Sequence, residues 1–417
     1  MKYQAVRGTR DILPDEIRKR QEIEAKARQI FSFYGYAEIQ TPIFEMSELF
    51  VRSIGTATDI VEKEMYTFQD KKGRNLTLRP EGTAPVVRAY LENNLGNGLT
   101  KLFYIGQMFR YERPQTGRTR QHTQIGAEAI GSGHPALDAE IISMAVHFFN
   151  SLGLAGLTVK LNSIGCRKCR PEFQKVLLAY LSDKVNMLCA DCRDRMQRNP
   201  MRILDCKDAS CQEVIEKAPE TTAYLCGECK EHFKTVMKLV DALNLKYQLN
   251  KRLVRGFDYY TRTVFEIDSN ELGAQSAVAG GGRYDGLIEE LGGKPTPAVG
   301  FSCGIERIII SSKEKAPVSR PDLFFACLGE TAVEKAFVLA DELRKAGRTA
   351  LLNYEEKSLK SQLRSANQAG AAFVIIIGED EIKKQAVQIK DMSANTQAEV
   401  AFNRINDYLT EHERKKK

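Results

Sequence analysis

Eight of the ten cysteines in this 417-residue chain lie between Cys166 and Cys229, in four short-spaced pairs. The pairs are Cys166-x-x-Cys169, Cys189-x-x-Cys192, Cys206-x4-Cys211 and Cys226-x-x-Cys229. No other feature restricts the fold so tightly, because thiols packed this densely must meet a metal, one another or an apolar core. The first twenty residues, MKYQAVRGTRDILPDEIRKR, are charged and hold no apolar signal core, so a cytoplasmic protein is expected. In that reducing compartment structural disulfides are disfavoured. Repeated C-x-x-C spacing there points to Zn2+, eight thiolates filling two tetrahedral sites. An iron–sulfur cluster, or eight free thiols in a small helical domain, are the other readings.

The spacing also suggests how the pairs combine. Pro171 to Asn186 places Phe173, Val176, Leu177, Tyr180 and Leu181 on one helical face. At about 1.5 Å per residue that rod is roughly 24 Å long, which puts Cys169 and Cys189 at opposite ends. The first two pairs therefore do not share an ion. A nested arrangement is expected: Cys166, Cys169, Cys226 and Cys229 in an outer site, and Cys189, Cys192, Cys206 and Cys211 in an inner one. Cys303 and Cys327 read as core residues.

Elsewhere the pattern is that of an ordinary globular chain, 43% hydrophobic and 28% charged. No apolar run approaches the ~18 residues of a membrane span. The net charge of +7 permits a polyanionic partner without demanding one. Its clustering says more: Arg110, Arg113, Arg118 and Arg120 fall in and beside the polar loop RPQTGRTRQ, which is either a solvated loop or one reaching for phosphates and base edges.

Helical spacing marks Pro14–Phe33, Ala136–Leu152 and Phe233–Leu243. Tyr36–Phe44 is extended, with Pro42 suited to a sheet edge. Asn75–Pro80 reads as a strand, after which Glu81-Gly82-Thr83 turns into a helix near Ala84 and Pro85. Leu102–Tyr111 and Gln121–Ile130 read as a long hairpin, with further strands at Leu157–Asn162 and Tyr247–Leu253. The segment Leu253–Glu266, LVRGFDYYTRTVFE, alternates like one or two strands broken near Gly256. It is either a half-exposed strand or a site wall, since it holds an arginine, an aspartate and two adjacent tyrosines. On a strand Tyr259 and Tyr260 would face opposite sides, so both can line one pocket only if the backbone twists there. A polar linker, SSKEKAPVSRP at 311–321, precedes short apolar runs alternating with helical segments, which predicts a small α/β domain with a mainly parallel sheet over 322–417. It has no G-x-G-x-x-G after its first strand. The closing RKKK reads as a frayed tail.

LVRGFDYYTRTVFE closely resembles a signature of histidyl-tRNA synthetases. Six more segments resemble that family in order: RGTRDILP (7–14), TPIFE (41–45), LTLRPEGT (76–83), FRYERPQ (109–115), GGGRYDGL (280–287) and VGFSCGIER (299–307). The resemblance implies an α/β chain: an α+β catalytic domain on an antiparallel sheet (1–165 and 233–310), a cysteine-rich helical insertion (166–232), the linker, and an α/β anticodon-binding domain (322–417). It implies a homodimer joined at TPIFE. The implied reaction activates L-histidine with ATP and Mg2+ to histidyl-adenylate, then charges tRNA(His).

The chemistry explains which residues such a site needs. Two anions, a carboxylate and a phosphate, must be held together while negative charge grows, and arginine's fixed fork suits that task. By resemblance Arg110 and Arg255 hold the α-phosphate, Arg255 also the substrate carboxylate, and Arg307 the terminal phosphates. Glu81, Thr83 and Gln124 are the implied partners of the histidine ammonium. Glu128 and Tyr260, with Tyr259 beside them, are those of the imidazole, whose two nitrogens are best read together. Glu81 as a helix cap is a compatible alternative. Arg113, Gln115, Arg118 and Arg120 are the candidates for the tRNA acceptor end, with Arg113 and Gln115 at base edges. His122 stands where many relatives have an aromatic residue and reads as a partly buried strand histidine. A catalytically silent regulatory paralogue from histidine biosynthesis, or an RNA-sensing module, would keep the fold without the chemistry.

Overall fold

A computed structural model describes residues 3–55, 58–114, 117–269, 277–312, 320–355 and 357–416. The chain forms two compact units, Met1–Ala316 and Pro317–Lys417. Among the described residues no helix is long and apolar enough to cross a membrane.

In chain order the first unit holds α1 (Pro14–Phe33), β1 (Ala37–Glu38), β2 (Phe44–Met46), α2 (Ser47–Ile54), β3 (Tyr66–Gln69), β4 (Asn75–Leu78), α3 (Thr83–Glu92), β5 (Thr100–Phe109), β6 (Gln121–Ile130), α4 (Pro135–Ser151) and β7 (Leu157–Ser163). The cysteine-rich stretch follows with α5 (Arg170–Ser182), α6 (Ala190–Arg198), a 3-10 turn at Pro200–Asp205, α7 (Ala209–Glu216) and α8 (Gly227–Ala242). β8 (Tyr247–Leu249), β9 (Thr261–Ser269), β10 (Ala277–Arg283), α9 (Leu287–Glu290), β11 (Ala298–Gly304) and α10 (Ile305–Ser311) complete it.

Eight strands make the main sheet in the order β1-β5-β6-β11-β10-β9-β7-β8. Only the edge pairs β1/β5 and β7/β8 are parallel. Period-2 alternation divides β6 cleanly. Ile125, Ala127 and Ala129 join the core against α1, α4 and α8, with Phe31, Phe148 and Phe233. Gln124, Gly126 and Glu128 take the other face. A small sheet, β2-β4-β3, stands apart.

Arg283 ties β10 to α4. Its side chain is fully buried and donates to both oxygens of Asp138 (2.6–3.1 Å), to the Ser132 and His134 carbonyls and to Asp285. His232 on α8 reaches the same Asp138 at 3.3 Å.

One sequence expectation changes here. Leu253–Tyr260 is irregular, and the strand begins only at Thr261. Its backbone is bonded across the molecule instead, Asp258 N–H to the Ile54 carbonyl and the Leu253 carbonyl to the Asn162 amide, so no ladder forms. The glycine run 280–282 lies inside β10.

The second unit holds β12 (Leu323–Cys327), α11 (Glu330–Lys345), β13 (Ala350–Leu352), α12 (Leu359–Ala369), β14 (Phe373–Ile377), α13 (Glu379–Lys384), β15 (Ala386–Asp391), β16 (Gln397–Ala401) and α14 (Ile405–Lys416). Its sheet, β13-β12-β14-β15-β16, is parallel across the first three strands and antiparallel across the last three. It is therefore mixed rather than mainly parallel. The reason is local: Asp391 Oδ1 accepts the Ser393 and Ala394 N–H groups, closing a turn that folds β16 back on β15.

Candidate functional site

The open face of the main sheet is paved with glycine. Gly106, Gly126, Gly300 and Gly280 come from four different strands, and on each bare backbone lies a polar side chain. Arg79 covers Gly106, the Tyr104 ring covers Gly126, Glu128 covers Gly300 and Arg255 covers Gly280. A methyl group at any of the four would occupy the space of the group above it. The glycines are thus what lets charged groups lie flat on a sheet.

One end of this floor gathers buried carboxylates. Glu128 is 1% exposed and accepts from Thr83 Oγ1 (2.7 Å) and Tyr284 OH (2.6 Å). Burial pushes its carboxyl up to about 8. Glu81, also buried, accepts the Thr83 and Ala84 N–H groups at 2.6 and 2.8 Å and so caps α3, and burial raises its carboxyl too. No cation neutralises Glu128 by an ion pair among the described residues. Gln124 links Tyr104 OH (3.2 Å) to Ser302 Oγ (2.9 Å). Tyr259 and Tyr260 both turn inward, their rings 4.7 Å apart, which the irregular backbone at 253–260 permits. Tyr284 meets Tyr259 edge-on at 5.7 Å. Glu81, Thr83, Gln124, Glu128, Tyr259 and Tyr260 thus gather at one end of the floor, and Tyr104, Tyr284 and Ser302 join them. Sequence reading missed these three; alternation along β5 and β11 was the available signal for Tyr104 and Ser302.

Arginines border this cluster, Arg255 over Gly280, the neighbour of Ser302, with its guanidinium 6.0 Å from the Tyr260 ring. Arg110 Nε donates to the Pro80 carbonyl at 2.8 Å, and its guanidinium lies 5.6 Å from the Phe257 ring. Arg255 pairs with Glu266, while its Nε is buried without a hydrogen-bond partner. Arg307, on α10, donates to the Ala277 carbonyl. Its neighbour Glu306 anchors that helix: it accepts from Arg20 on α1 at 2.9 Å and from the Thr123 N–H. His122 is half-buried on β6, and burial, then the Arg110 charge, lowers its pKa to about 3, which fits a neutral strand histidine.

The arginine loop divides. Arg113 is exposed and makes no ion pair among the described residues, and Arg118 pairs loosely with Glu112 at 3.4 Å. Arg120 is turned onto the Tyr111 ring (3.7 Å) and donates to the Arg7 carbonyl (3.1 Å), bracing the N-terminal segment. Gln115 lies outside the described residues.

The eight cysteines fall into two groups, Cys166, Cys169, Cys226 and Cys229, and Cys189, Cys192, Cys206 and Cys211, with all sulfurs of a group within 4.8 Å of one another. These are the outer and inner sets of the nested arrangement. The sulfur separations recorded, 3.7 Å (Cys166–Cys169), 3.9 Å (Cys166–Cys226) and 3.8 Å (Cys189–Cys206), match the edge of a tetrahedron with about 2.3 Å metal–sulfur bonds, which is about 3.8 Å. Backbone N–H groups of Cys226 and Cys189 point at Cys169 Sγ (3.1 Å) and Cys211 Sγ (3.2 Å). Within the outer group burial raises the thiols of Cys169 and Cys229, whereas Cys166 is lowered to about 7 despite its partial burial by the N–H groups of Lys168 and Cys169.

A floor that brings buried carboxylates together with arginines suits a ligand that carries both a cationic group and a phosphate. Comparison with known proteins agrees. The family model "Histidyl-tRNA synthetase" matches residues 8–308, and "Anticodon binding domain" matches 317–412. The histidine–tRNA ligase of Pelotomaculum thermopropionicum is 49% identical over 411 residues, 97% of each chain. The apo S. aureus histidyl-tRNA synthetase structure aligns with a TM-score of 0.82 at 35% identity, over 98% of this chain and 99% of that one. A structure described as an ATP phosphoribosyltransferase regulatory subunit/histidyl-tRNA synthetase from Bacillus halodurans shares the fold at 20% identity, TM-score 0.67, over 91% and 99%. The chain belongs to the histidyl-tRNA synthetase family.

Proposed function

We propose that this chain is a histidine–tRNA ligase, which joins L-histidine to ATP as histidyl-adenylate, releases pyrophosphate and transfers histidine to tRNA(His). The observation that carries this reading is the pairing of buried Glu128 and Glu81 with Arg110 and Arg255 across one glycine floor. The ammonium of histidine meets Glu81, Thr83 and Gln124. Its imidazole meets Glu128 and Tyr260, with Tyr259 packed alongside. ATP enters as its Mg2+ complex. Arg110 and Arg255 hold the α-phosphate oxygens as the histidine carboxylate attacks phosphorus, and Arg307 holds the departing pyrophosphate. The unpartnered Arg255 Nε supports its role, since a buried donor without an acceptor is suited to a ligand.

Arg113, Gln115 and Arg118 meet the acceptor end of the tRNA, with Arg120 holding their loop in place. The second unit binds the anticodon. Residues 1–165 and 233–310 form the catalytic domain, 166–232 the insertion, 311–321 the linker and 322–417 the anticodon-binding domain. Zn2+ in both cysteine sites would cross-link the insertion, and the two four-sulfur groups with tetrahedral edge separations support it. A homodimer in the cytoplasm completes the reading, its contact including Ile43, Phe44, Met46 and Phe68, which are 40–52% exposed on and beside the small sheet. The presence of Arg110, Arg255, Arg307 and the second unit speaks against the silent paralogue.

Histidine-dependent exchange of labelled pyrophosphate into ATP tests the proposal. Exchange that requires histidine is expected; its absence in folded protein would refute it.

A further inference from the structure

The inner cysteine group does more than knit the insertion together. Between Cys192 and Cys206 the chain runs through the end of α6 and the 3-10 turn, and this loop grips the irregular segment that carries Arg255. Asn199 Nδ2 donates to Asp258 Oδ1 at 2.6 Å. Arg202 Nη1 donates to the Arg255 carbonyl at 3.3 Å and lies over Gly256, where a Cβ would stand 3.2 Å from it. On its other side the same loop holds 59–62, through Arg195 to Asp59 (2.7 Å) and Arg198 to Glu62.

The 3-10 turn is seated by Met201, Ile203 and Leu204, which are buried in the same core as Leu253, Val254, Tyr259 and Tyr260, while the α6 end of the loop has little packing of its own. Of the nine residues of α6 only Cys192 is buried, with Met196 half-buried against the same core, so apolar packing holds that helix weakly, and a helix so short is marginal alone. The Arg255–Asp258 backbone has no strand ladder; Asp258 N–H to Ile54 and Arg170 to the Asp258 carbonyl (3.4 Å) are its other ties. The outer group differs. Its Cys226 and Cys229 open α8, which packs on the core through Phe233, Val236 and Val240 independently of any sulfur.

We propose that metal bound at Cys189, Cys192, Cys206 and Cys211 positions Arg255 for catalysis, with Asn199 and Arg202 as the positioning residues that carry the constraint. This rests on the ligase reading, with Arg255 at the α-phosphate. The ion never meets substrate. It closes the loop 193–205 at both ends, and the loop fixes the backbone from which the catalytic guanidinium hangs.

The test uses the full-length, zinc-loaded chain. Cys206→Ser with Cys211→Ser is expected to lose one zinc, to speed amide hydrogen exchange across 253–260, and to lower kcat for pyrophosphate exchange at least tenfold. Cys166→Ser with Cys226→Ser is expected to lose the other zinc with a much smaller change of exchange at 253–260, since the outer site touches that segment only through Arg170, which follows Cys169 and meets the Asp258 carbonyl. Arg202→Ala is expected to keep both zincs yet lower kcat and loosen 253–260, with Arg202→Lys recovering part of both because an ammonium can still donate to the Arg255 carbonyl. If the inner cysteine variant does not fold, Arg202→Ala decides. Unchanged kcat and unchanged amide exchange in Arg202→Ala, or a wild-type chain without zinc, would overturn the proposal. A wild-type chain with no pyrophosphate exchange would instead overturn the ligase reading, while the amide measurement still judges the coupling between the two segments.

Discussion

Glu128 makes the stability of the first unit depend on pH in a way that a single substitution removes. Burial raises its carboxyl from 4.5 to about 8. In the unfolded chain it ionises near 4.5; in the folded chain it keeps its proton until about pH 8. A raised folded pKa contributes stability that is complete below the unfolded value and is lost as pH rises through the folded one. Between pH 6 and 9 the unfolded carboxyl is already ionised, whereas the folded one gives up its proton only over the last part of the range. At 1.36 kcal/mol per unit of pH the loss is roughly 3 kcal/mol. At the smaller shifts usual for large domains that is about 6 °C in Tm. Glu128→Gln keeps the shape and can still meet Thr83 and Tyr284, but does not titrate. The assay is thermal unfolding at pH 6 and pH 9, followed for the transition of the first unit, in both proteins. The wild type should lose about 6 °C more than the variant. Equal losses would refute the reasoning, because Glu128 would then be ionised in the folded protein throughout.

Four other outcomes are expected. Arg283→Met leaves Asp138 buried with only His232 beside it and should destabilise the first unit by about 3–5 kcal/mol in denaturant titrations. Arg110→Ala should lower kcat for pyrophosphate exchange by about 10²–10³-fold, the usual effect of removing one donor to a developing oxyanion, with the fold intact by circular dichroism. Gly280→Ala places a methyl where the Arg255 guanidinium lies and should depress kcat while leaving the unfolding transition nearly unmoved. Elemental analysis should find two zinc ions per chain, and Cys166→Ser with Cys226→Ser should leave one; loss of both would argue against independent sites.

Sequence periodicity located α1, α4 and the β5/β6 hairpin because each buries a regular face. The cysteine grouping followed from the length of one amphipathic helix, although α5 ends at Ser182, earlier than expected. The segment 253–260 misled for a physical reason. Leu253, Val254, Tyr259 and Tyr260 are all buried, so their apolar pattern reports burial from two sides, against the insertion and against the floor, and not the pleat of a strand. The role of GGG at 280–282 was hidden in the same way. A glycine says only that something comes close: at Gly280 it is the Arg255 guanidinium, at Gly281 and Gly282 the neighbouring strands. The hairpin β15/β16 escaped notice because Gln397–Ala401 is mostly exposed at an edge, with only Val400 buried. Likewise Glu306, which holds the helix of Arg307 through Arg20, carries no pattern of its own; its partner is almost three hundred residues away in the chain.

The glycine floor has a consequence for how such a site can change. A surface of bare peptide groups says how much room there is but nothing about which ligand fills it. Discrimination hangs on the side chains between the glycines, some borne by the short segments 79–84 and 253–260 outside the main ladder, others, Gln124 and Glu128, alternating with Gly126 on β6 itself. Exchanging one overhanging group would retune which ligand is held, whereas adding a single carbon to the floor would obstruct every ligand alike. Choice and space are therefore written in different residues, on β6 in alternate ones, and only the first kind is free to drift.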